Sequence, residues 1–434
     1  MPQDSRQPGT LRILISTDAF PPVCGGSGWS TYELVKTLRA NGHRVVLSRP
    51  VFGPRSRGTS TVYDGFQVRE YRGWAPPVPF VRNYFKNERF YGPYARVLAD
   101  IVGAERIDVI HAQHSLSSPA AVIAGRLRRR PVVCTIRDYW PLCYWTDLIH
   151  DPRSVDLCPA CSSSMMTQCV RPHAGWGWPF ALPAIPYMRA NLRHKRRTIG
   201  GADALIAVSS AIASDLRSRT SDFSETRIEV IPNPVDVAGI RSQAHDGSPP
   251  SPEHYLLYVG KLAPNKGVSK LIPAVERSGL EWPLIVIGDG PERATMTASA
   301  ARSRLNVRLL GWLSRKETLR WLCRASLLVF PSHGPESLSR VLLEAAALGV
   351  PTAAMVTGGT RDIVSSGETG LLSTSPEELG DDVRRLGVNT ELRRRLGQAA
   401  RRRVEERFAA PVVVRRIEAL YEELLARVEA GAAR

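Results

Sequence analysis

Glu336 and Glu344 bracket seven residues in the segment Gly334 to Glu344, GPESLSRVLLE, which follows an apolar stretch ending at Phe330. Glu336 stands just before an apolar run that reads as a helix, Ser337 is placed to cap it, Leu338 and Ser339 lie in its first turn, and Glu344 sits about two turns in. A helix start presents unpaired amides and the positive end of the macrodipole, so this segment suits a phosphate. Carboxylates accept hydrogen bonds from paired hydroxyls, so Glu344 suits a ribose diol and Glu336 a hexose hydroxyl. An ordinary exposed helix with two glutamates is the plain alternative. Upstream, Gly260-Lys261-Leu262 and Lys266-Gly267 place two cations after another apolar stretch. Two lysines near a diphosphate would neutralise charge that grows as a sugar bond breaks.

Elements of a particular kind must position these groups. Short apolar runs, RILIS at 12–16, RVVL at 44–47, DVIH at 108–111, PVVCTI at 131–136, ALIAV at 204–208 and IEVI at 228–231, alternate with helix-like segments. A second series follows, YLLYV at 255–259, PLIVI at 283–287, VRLL at 307–310, LLVF at 327–330 and PTAAM at 351–355. Continuously apolar strands between helices argue for parallel sheets covered on both faces, hence an α/β chain of two doubly wound, Rossmann-like domains. The predicted boundary is 1–235 and 236–434, with a possible hinge at Asn233-Pro234 and a linker over the Ser- and Pro-rich 242–253. A final helix over 411–428 carries Val413, Ile417, Leu420, Tyr421 and Leu424 on one face and suits either domain. Open sheets bind ligands at the carboxyl ends of their strands, so an active site in a cleft between the domains is expected.

The order and spacing of these motifs across the second half resemble the retaining GT-B glycosyltransferases of family 4 (glycosyl transferases group 1). That resemblance rests on Glu336 and Glu344, on Lys261 and Lys266, on VIGDG at 286–290, on Leu310-Gly311-Trp312-Leu313 and on Thr357-Gly358-Gly359. It implies a nucleotide diphosphate sugar as donor, with the base seated near Leu313, and a hydroxyl acceptor. It further implies retention at the anomeric carbon and independence from a divalent cation, so no cofactor is expected for catalysis. In the first half, Gly25 and Gly26 occupy the place of the family's glycine loop, where backbone amides approach the diphosphate. A dinucleotide enzyme fits less well, since Thr31 replaces the third glycine of that fingerprint.

The first half also departs from the family. Where members commonly carry a histidine after the fourth strand, this chain has Arg137, followed by Asp138. Arg137 cannot be a general base, although it can neutralise a phosphate or hold an acceptor acid, and Asp138 is the candidate for contact with an acceptor hydroxyl. His111 and His114 read as satisfied structural histidines. Cys143, Cys158, Cys161 and Cys169 lie in a Cys-rich insertion over about 143–169, resembling one found in a subgroup of the family. A structural zinc site, redox bridging and plain burial are its three readings.

A balance of 43% hydrophobic and 23% charged residues is globular, and the polar opening is unlike a secretory leader, which points to the cytoplasm. The net charge of +17 suits phosphorylated ligands, nucleic acid or an anionic membrane face, and no nucleic-acid motif accompanies it. The basic stretch Pro186 to Arg197 suits peripheral contact with a membrane holding a lipid-linked acceptor, or a solvated face. The expected function is therefore sugar transfer in glycan, polysaccharide or glycolipid synthesis. A nucleotide-sugar epimerase or hydrolase on the same architecture, or a non-catalytic sugar-nucleotide-binding partner protein, are the alternatives.

Overall fold

The computed structural model describes residues 9–22, 24–52, 60–78, 81–151, 157–247 and 253–432; part of the 242–253 stretch, part of the Cys-rich insertion and the opening residues lie outside them. The chain divides into two units: 1–146, 160–234 and 413–434 form the first, 147–159 and 235–412 the second. The division thus falls at Pro234/Val235, and the last helix joins the first unit.

In the first unit, β1 (Arg12–Ser16), β2 (Arg44–Phe52), β3 (Ser60–Tyr63), β4 (Phe66–Gly73), β5 (Val109–Ala112), β6 (Val132–Ile136), β7 (Ala204–Ala207) and β8 (Ile228–Val230) make one sheet in the order β3-β4-β2-β1-β5-β6-β7-β8. It is parallel except for the β3-β4 hairpin, which sequence patterning passed over. Its turn is Asp64-Gly65 with both residues at positive φ, a pairing that marks a two-residue hairpin. The strands β1, β5, β6 and β7 are buried along almost their whole length because helices cover both faces, which explains their apolar character.

The closing helix Ala410–Ala432 supplies part of that cover. Val413, Ile417, Leu420, Tyr421 and Leu424 pack in one cluster with Ile13, Ile15, Val109 and Val133 of the sheet. His111 on β5 accounts for this docking chemically as well as sterically. Its Nδ1 lies 2.5 Å from Tyr421 Oη and its Nε2 2.7 Å from Thr135 Oγ1. Burial, with Arg137 nearby, lowers its pKa to about 3, so the ring is neutral and structural.

In the second unit, β9 (Leu256–Val259), β10 (Leu284–Ile287), β11 (Val307–Gly311), β12 (Leu327–Phe330), β13 (Thr352–Met355) and β14 (Leu371–Ser373) run parallel in the order β11-β10-β9-β12-β13-β14. The order reverses between β9 and β12, the switch point at which loops from neighbouring strands diverge and leave room for a ligand. The predicted linker over 242–253 is in part ordered. Val237–His245 is a helix capped by Asp236, whose carboxylate accepts from Gly239 N at 2.9 Å, and it buries Ile240 and Ala244.

Candidate functional site

Three loops at the carboxyl ends of β9, β12 and β13 are joined by the hydrogen bonds of their own backbones. After β9, the loop with Lys261 and Lys266 turns at Gly267, where φ is +68° and a Cβ would stand 1.9 Å from Pro331 O. Only glycine permits that approach. The approach lets Gly334 N donate to Asn265 O at 2.9 Å and Ser332 Oγ to the same oxygen at 3.2 Å. After β13, Gly359 N donates to Glu336 O at 2.7 Å and Thr357 Oγ1 to Gly334 O at 2.5 Å. Gly358, at φ +44°, would place a Cβ 2.0 Å from Glu336 O. The backbone of Glu336 is therefore clamped from both sides.

Its side chain is held equally firmly. Glu336 is 8% exposed, and its Oε1 accepts from Ser332 Oγ at 2.7 Å and pairs with Lys266 Nζ. Lys266 keeps about a third of its side chain in solvent, while Lys261 is exposed beyond it, its backbone oxygen held by Tyr258 Oη at 3.0 Å. Ser332 was not anticipated from sequence; its signal is only a hydroxyl placed two residues past a strand, four before a carboxylate.

The helix begins later than the sequence suggests. It spans Arg340–Leu348, Ser339 is its N-cap and makes no side-chain cap bond, and Ser337 lies in a bend before it. Ser337 is thus not the cap: Gly334 to Ser339 is drawn out of helical conformation by its bonds to the β9 and β13 loops. Leu338 is buried, anchoring the bend, and the helix start carries no side-chain oxygen on its first amides. Glu344 falls in the second helical turn, 8% exposed, with Oε1 3.0 Å from Arg340 Nε and 3.4 Å from Arg315 Nε. Arg315 opens the helix that follows Leu313, itself half-buried after the positive-φ Gly311, so Leu313 and Glu344 belong to one neighbourhood.

The first unit holds the remaining predicted residues. Gly25 is the N-cap and Gly26 the first residue of the helix Gly26–Ala40; both are exposed, and a Cβ on Gly25 would meet no protein atom within 4 Å. Arg137 is not an open phosphate ligand. It is 7% exposed, with Nε donating to Asn233 Oδ1 at 2.8 Å and one terminal nitrogen to Thr31 Oγ1 at 3.1 Å and Gln113 O at 3.3 Å. The guanidinium ties the helix Gly26–Ala40 to the loops after β5 and β8. His114, lowered well below the ordinary range by burial and then by Arg137, is neutral; its Nδ1 lies 3.0 Å from Thr17 Oγ1.

Asp138 accepts from Trp140 N at 2.8 Å. The residue keeps solvent access, yet protein crowding around the carboxyl pushes its pKa up to about 6, with the charge of Asp18 adding and Lys195 opposing. Lys195 is drawn down to about 8 by burial, against the pull of Glu88 and Asp138. An acid and a base with pKa values on either side of neutrality thus share one edge of this unit.

Among the described residues no three His, Cys, Asp or Glu side chains converge to hold a metal ion. Cys169 Sγ donates to Met166 O at 3.3 Å inside an apolar cluster with Val170, Ile185 and Met188, and Cys158 falls in the segment grouped with the other unit. Burial in a helical core accounts for Cys169.

Residues 24–238 match the model of Glycosyltransferase Family 4 and residues 241–403 that of Glycosyl transferases group 1. Glycogen synthase of Mycobacterium tuberculosis is 28% identical over 424 residues, covering 92% of this chain and 91% of that one. An exopolysaccharide phosphotransferase of Streptomyces coelicolor is 36% identical over a shorter stretch, 38% of this chain and 18% of its own length. The crystal structure of Anabaena Alr3699/HepE in complex with UDP overlays with a TM-score of 0.64 at 18% identity, covering 95% of this chain and all of that one, a likeness of fold. No described helix is long and apolar enough to cross a membrane. With two parallel α/β units, a clamped Lys-Glu pair at a switch point and matching models over both halves, the chain belongs to the glycosyltransferases of the GT-B fold, family 4 type.

Proposed function

We propose that the protein is a retaining glycosyltransferase that moves a sugar from a nucleoside diphosphate sugar to a hydroxyl acceptor during glycan, polysaccharide or glycolipid synthesis. The observation that carries this reading is the Lys266–Glu336–Ser332 cluster at the β9/β12 switch point, beside a helix start without a side-chain cap. Lys261, Lys266 and the first amides of Arg340–Leu348 take the diphosphate, Glu336 takes a sugar hydroxyl, and Glu344 and Leu313 take the ribose and base. As the anomeric bond loosens, charge grows on the diphosphate next to fixed cations, so catalysis is electrostatic and positional and needs no protein nucleophile. Two lysines supply the charge a divalent ion would otherwise supply, so we assign no metal to the step. Gly25, where the protein itself leaves room for a Cβ, and Gly26 beside it fit a loop kept small for a ligand's approach. Acceptor recognition we assign to Asp138 in the first unit. The presence of UDP in a structural relative is consistent with a nucleotide donor.

The test is calorimetric binding of UDP, GDP and ADP to the wild type and to Glu344→Ala, followed by turnover of the matching donor sugar in the presence of EDTA. Selective binding weakened about tenfold or more in the variant, with transfer to an acceptor, is expected from loss of a charged hydrogen-bond acceptor. Binding of none of the three would overturn the reading; donor consumed without transfer would point to a hydrolase or epimerase instead.

A further inference from the structure

Between β6 and β7 the first unit carries a helical excursion that the donor chemistry does not use. The helix Ser163–Ala174 runs out to a tip, Gly175 to Ala184, and the helix Ile185–Ile199 runs back. It has a small core of its own, Met166, Val170, Ala181, Ile185 and Met188 with Trp178 against it. It is fastened to the rest of the unit by Glu88, which accepts from Tyr187 Oη at 3.1 Å and Asn191 Nδ2 at 2.7 Å.

The tip is unlike an ordinary protein surface. Trp176 is 93% and Phe180 85% exposed, although neither is needed to bridge any neighbour in the excursion's core. Exposed aromatics of this size form a patch that water disfavours, and a Trp in such a position suits a polar–apolar boundary. The charge along the excursion's own sequence has one sign. From Leu157 to Ala202 the sequence contains neither Asp nor Glu, while Arg171, Arg189, Arg193 and Arg197 are all exposed. Arg171 stacks over Trp178 at 5.6 Å, which sets a cation directly beside the aromatic tip.

We propose that this excursion docks on a bilayer face carrying anionic lipid, with Trp176 and Phe180 entering the headgroup region and the arginines of the returning helix meeting the phosphates. A protein partner would need acidic complementarity and a shaped counter-surface; two protruding aromatics on a rim of like charge fit a deformable anionic surface better. The inference goes beyond the donor chemistry and does not rest on it. It places the enzyme where a lipid-borne hydroxyl acceptor is concentrated.

The experiment is co-sedimentation of the full chain with vesicles of phosphatidylcholine alone or containing phosphatidylglycerol, at low and high salt. Wild type, Trp176→Ala/Phe180→Ala and Arg193→Glu/Arg197→Glu are compared, with thermal melting and nucleotide calorimetry to show that the variants fold and keep the donor site. Binding to the phosphatidylglycerol vesicles that falls with salt and weakens about tenfold or more in each variant is expected. Absence of binding at low salt, or binding unchanged in the aromatic variant, overturns the proposal. A concentration-dependent dimer, seen by light scattering without lipid and lost in the aromatic variant, overturns it too and assigns the tip to a second copy. Nucleotide binding is read separately, so failure here is distinguishable from failure of the donor assignment.

Discussion

Replacing Lys266 by Met removes the ammonium that Glu336 holds in place while keeping the length of the stem. Its side chain is about 30% exposed, so an effective dielectric near that of a protein surface applies. A unit charge at ~4 Å from a diphosphate oxygen contributes about 4 kcal/mol at an effective dielectric of 20. Discounting for solvent at the exposed end leaves about 2–4 kcal/mol, or roughly 30- to 1000-fold in rate if the interaction strengthens as charge develops. Loss should fall on kcat as well as on kcat/KM, because ground-state donor binding alone would affect KM only. The complication is Glu336, which in Lys266→Met keeps only Ser332 among the partners described for it and becomes a poorly compensated buried carboxylate. A cycle with Glu336→Gln separates the two effects: the loss in the double variant should be close to that of Lys266→Met alone and far below the product of the single losses, since the residues act as a unit. Steady-state transfer kinetics of the four proteins, with melting temperatures alongside, is the assay. The reasoning is refuted if Lys266→Met lowers kcat less than about threefold, or if it raises KM with kcat unchanged.

Gly358→Ala should lower kcat about 100-fold with little change in folding yield, because a Cβ 2.0 Å from Glu336 O must push that carboxylate's backbone away; transfer kinetics and melting check both parts. Tyr421→Phe leaves His111 Nδ1 without its partner in a fully buried site and should cost about 1–3 kcal/mol in urea unfolding, with nucleotide binding unaffected. Asp138, whose folded pKa of about 6 lies above the ordinary carboxylate value, binds more protons folded than unfolded between about pH 4 and 6. Its ionisation therefore opposes folding as pH rises through that window, and Asp138→Asn should raise the melting temperature more at pH 7.5 than at pH 4.5. If Asp138 receives the acceptor hydroxyl's hydrogen bond, kcat/KM for acceptor should fall as pH drops below about 6 in the wild type and lose that limb in the variant.

The parallel strands were legible because burial on both faces leaves a run of apolar residues, as at β6 and β12, that no exposed element would carry. The β3-β4 hairpin was not, since β4 reads FQVREYRG with Arg69, Glu70 and Arg72 along it, even though Asp64-Gly65 announced the turn. Around Glu336 the residues that meet, Ser332 apart, could be listed from sequence, but not the loop path that brings them together. Ser337 looked like a cap because serine precedes an apolar run, whereas the bonds from Gly359 and Thr357 that hold the segment open come from another strand. Arg137 shows the same limit more sharply. Its partners Thr31, Gln113 and Asn233 are spread across the unit, so nothing local distinguishes a tie between loops from an exposed phosphate ligand. The aromatic tip at Trp176 and Phe180 was likewise invisible, since exposure is decided by what the surrounding helices cover.

The docking of Ala410–Ala432 on the first unit has a consequence for synthesis on the ribosome. The sheet of that unit is translated first, yet residues that cover its buried face around Ile13, Val109 and His111 emerge only after the whole of the second unit. Until that helix emerges, those positions remain open to solvent or to a chaperone, while the second unit already has its entire sequence available. Native structure is therefore expected to be completed in the reverse of chain order. A frameshift or proteolytic nick near residue 410 would damage the half of the enzyme that was made earliest, leaving the second unit's own fold complete.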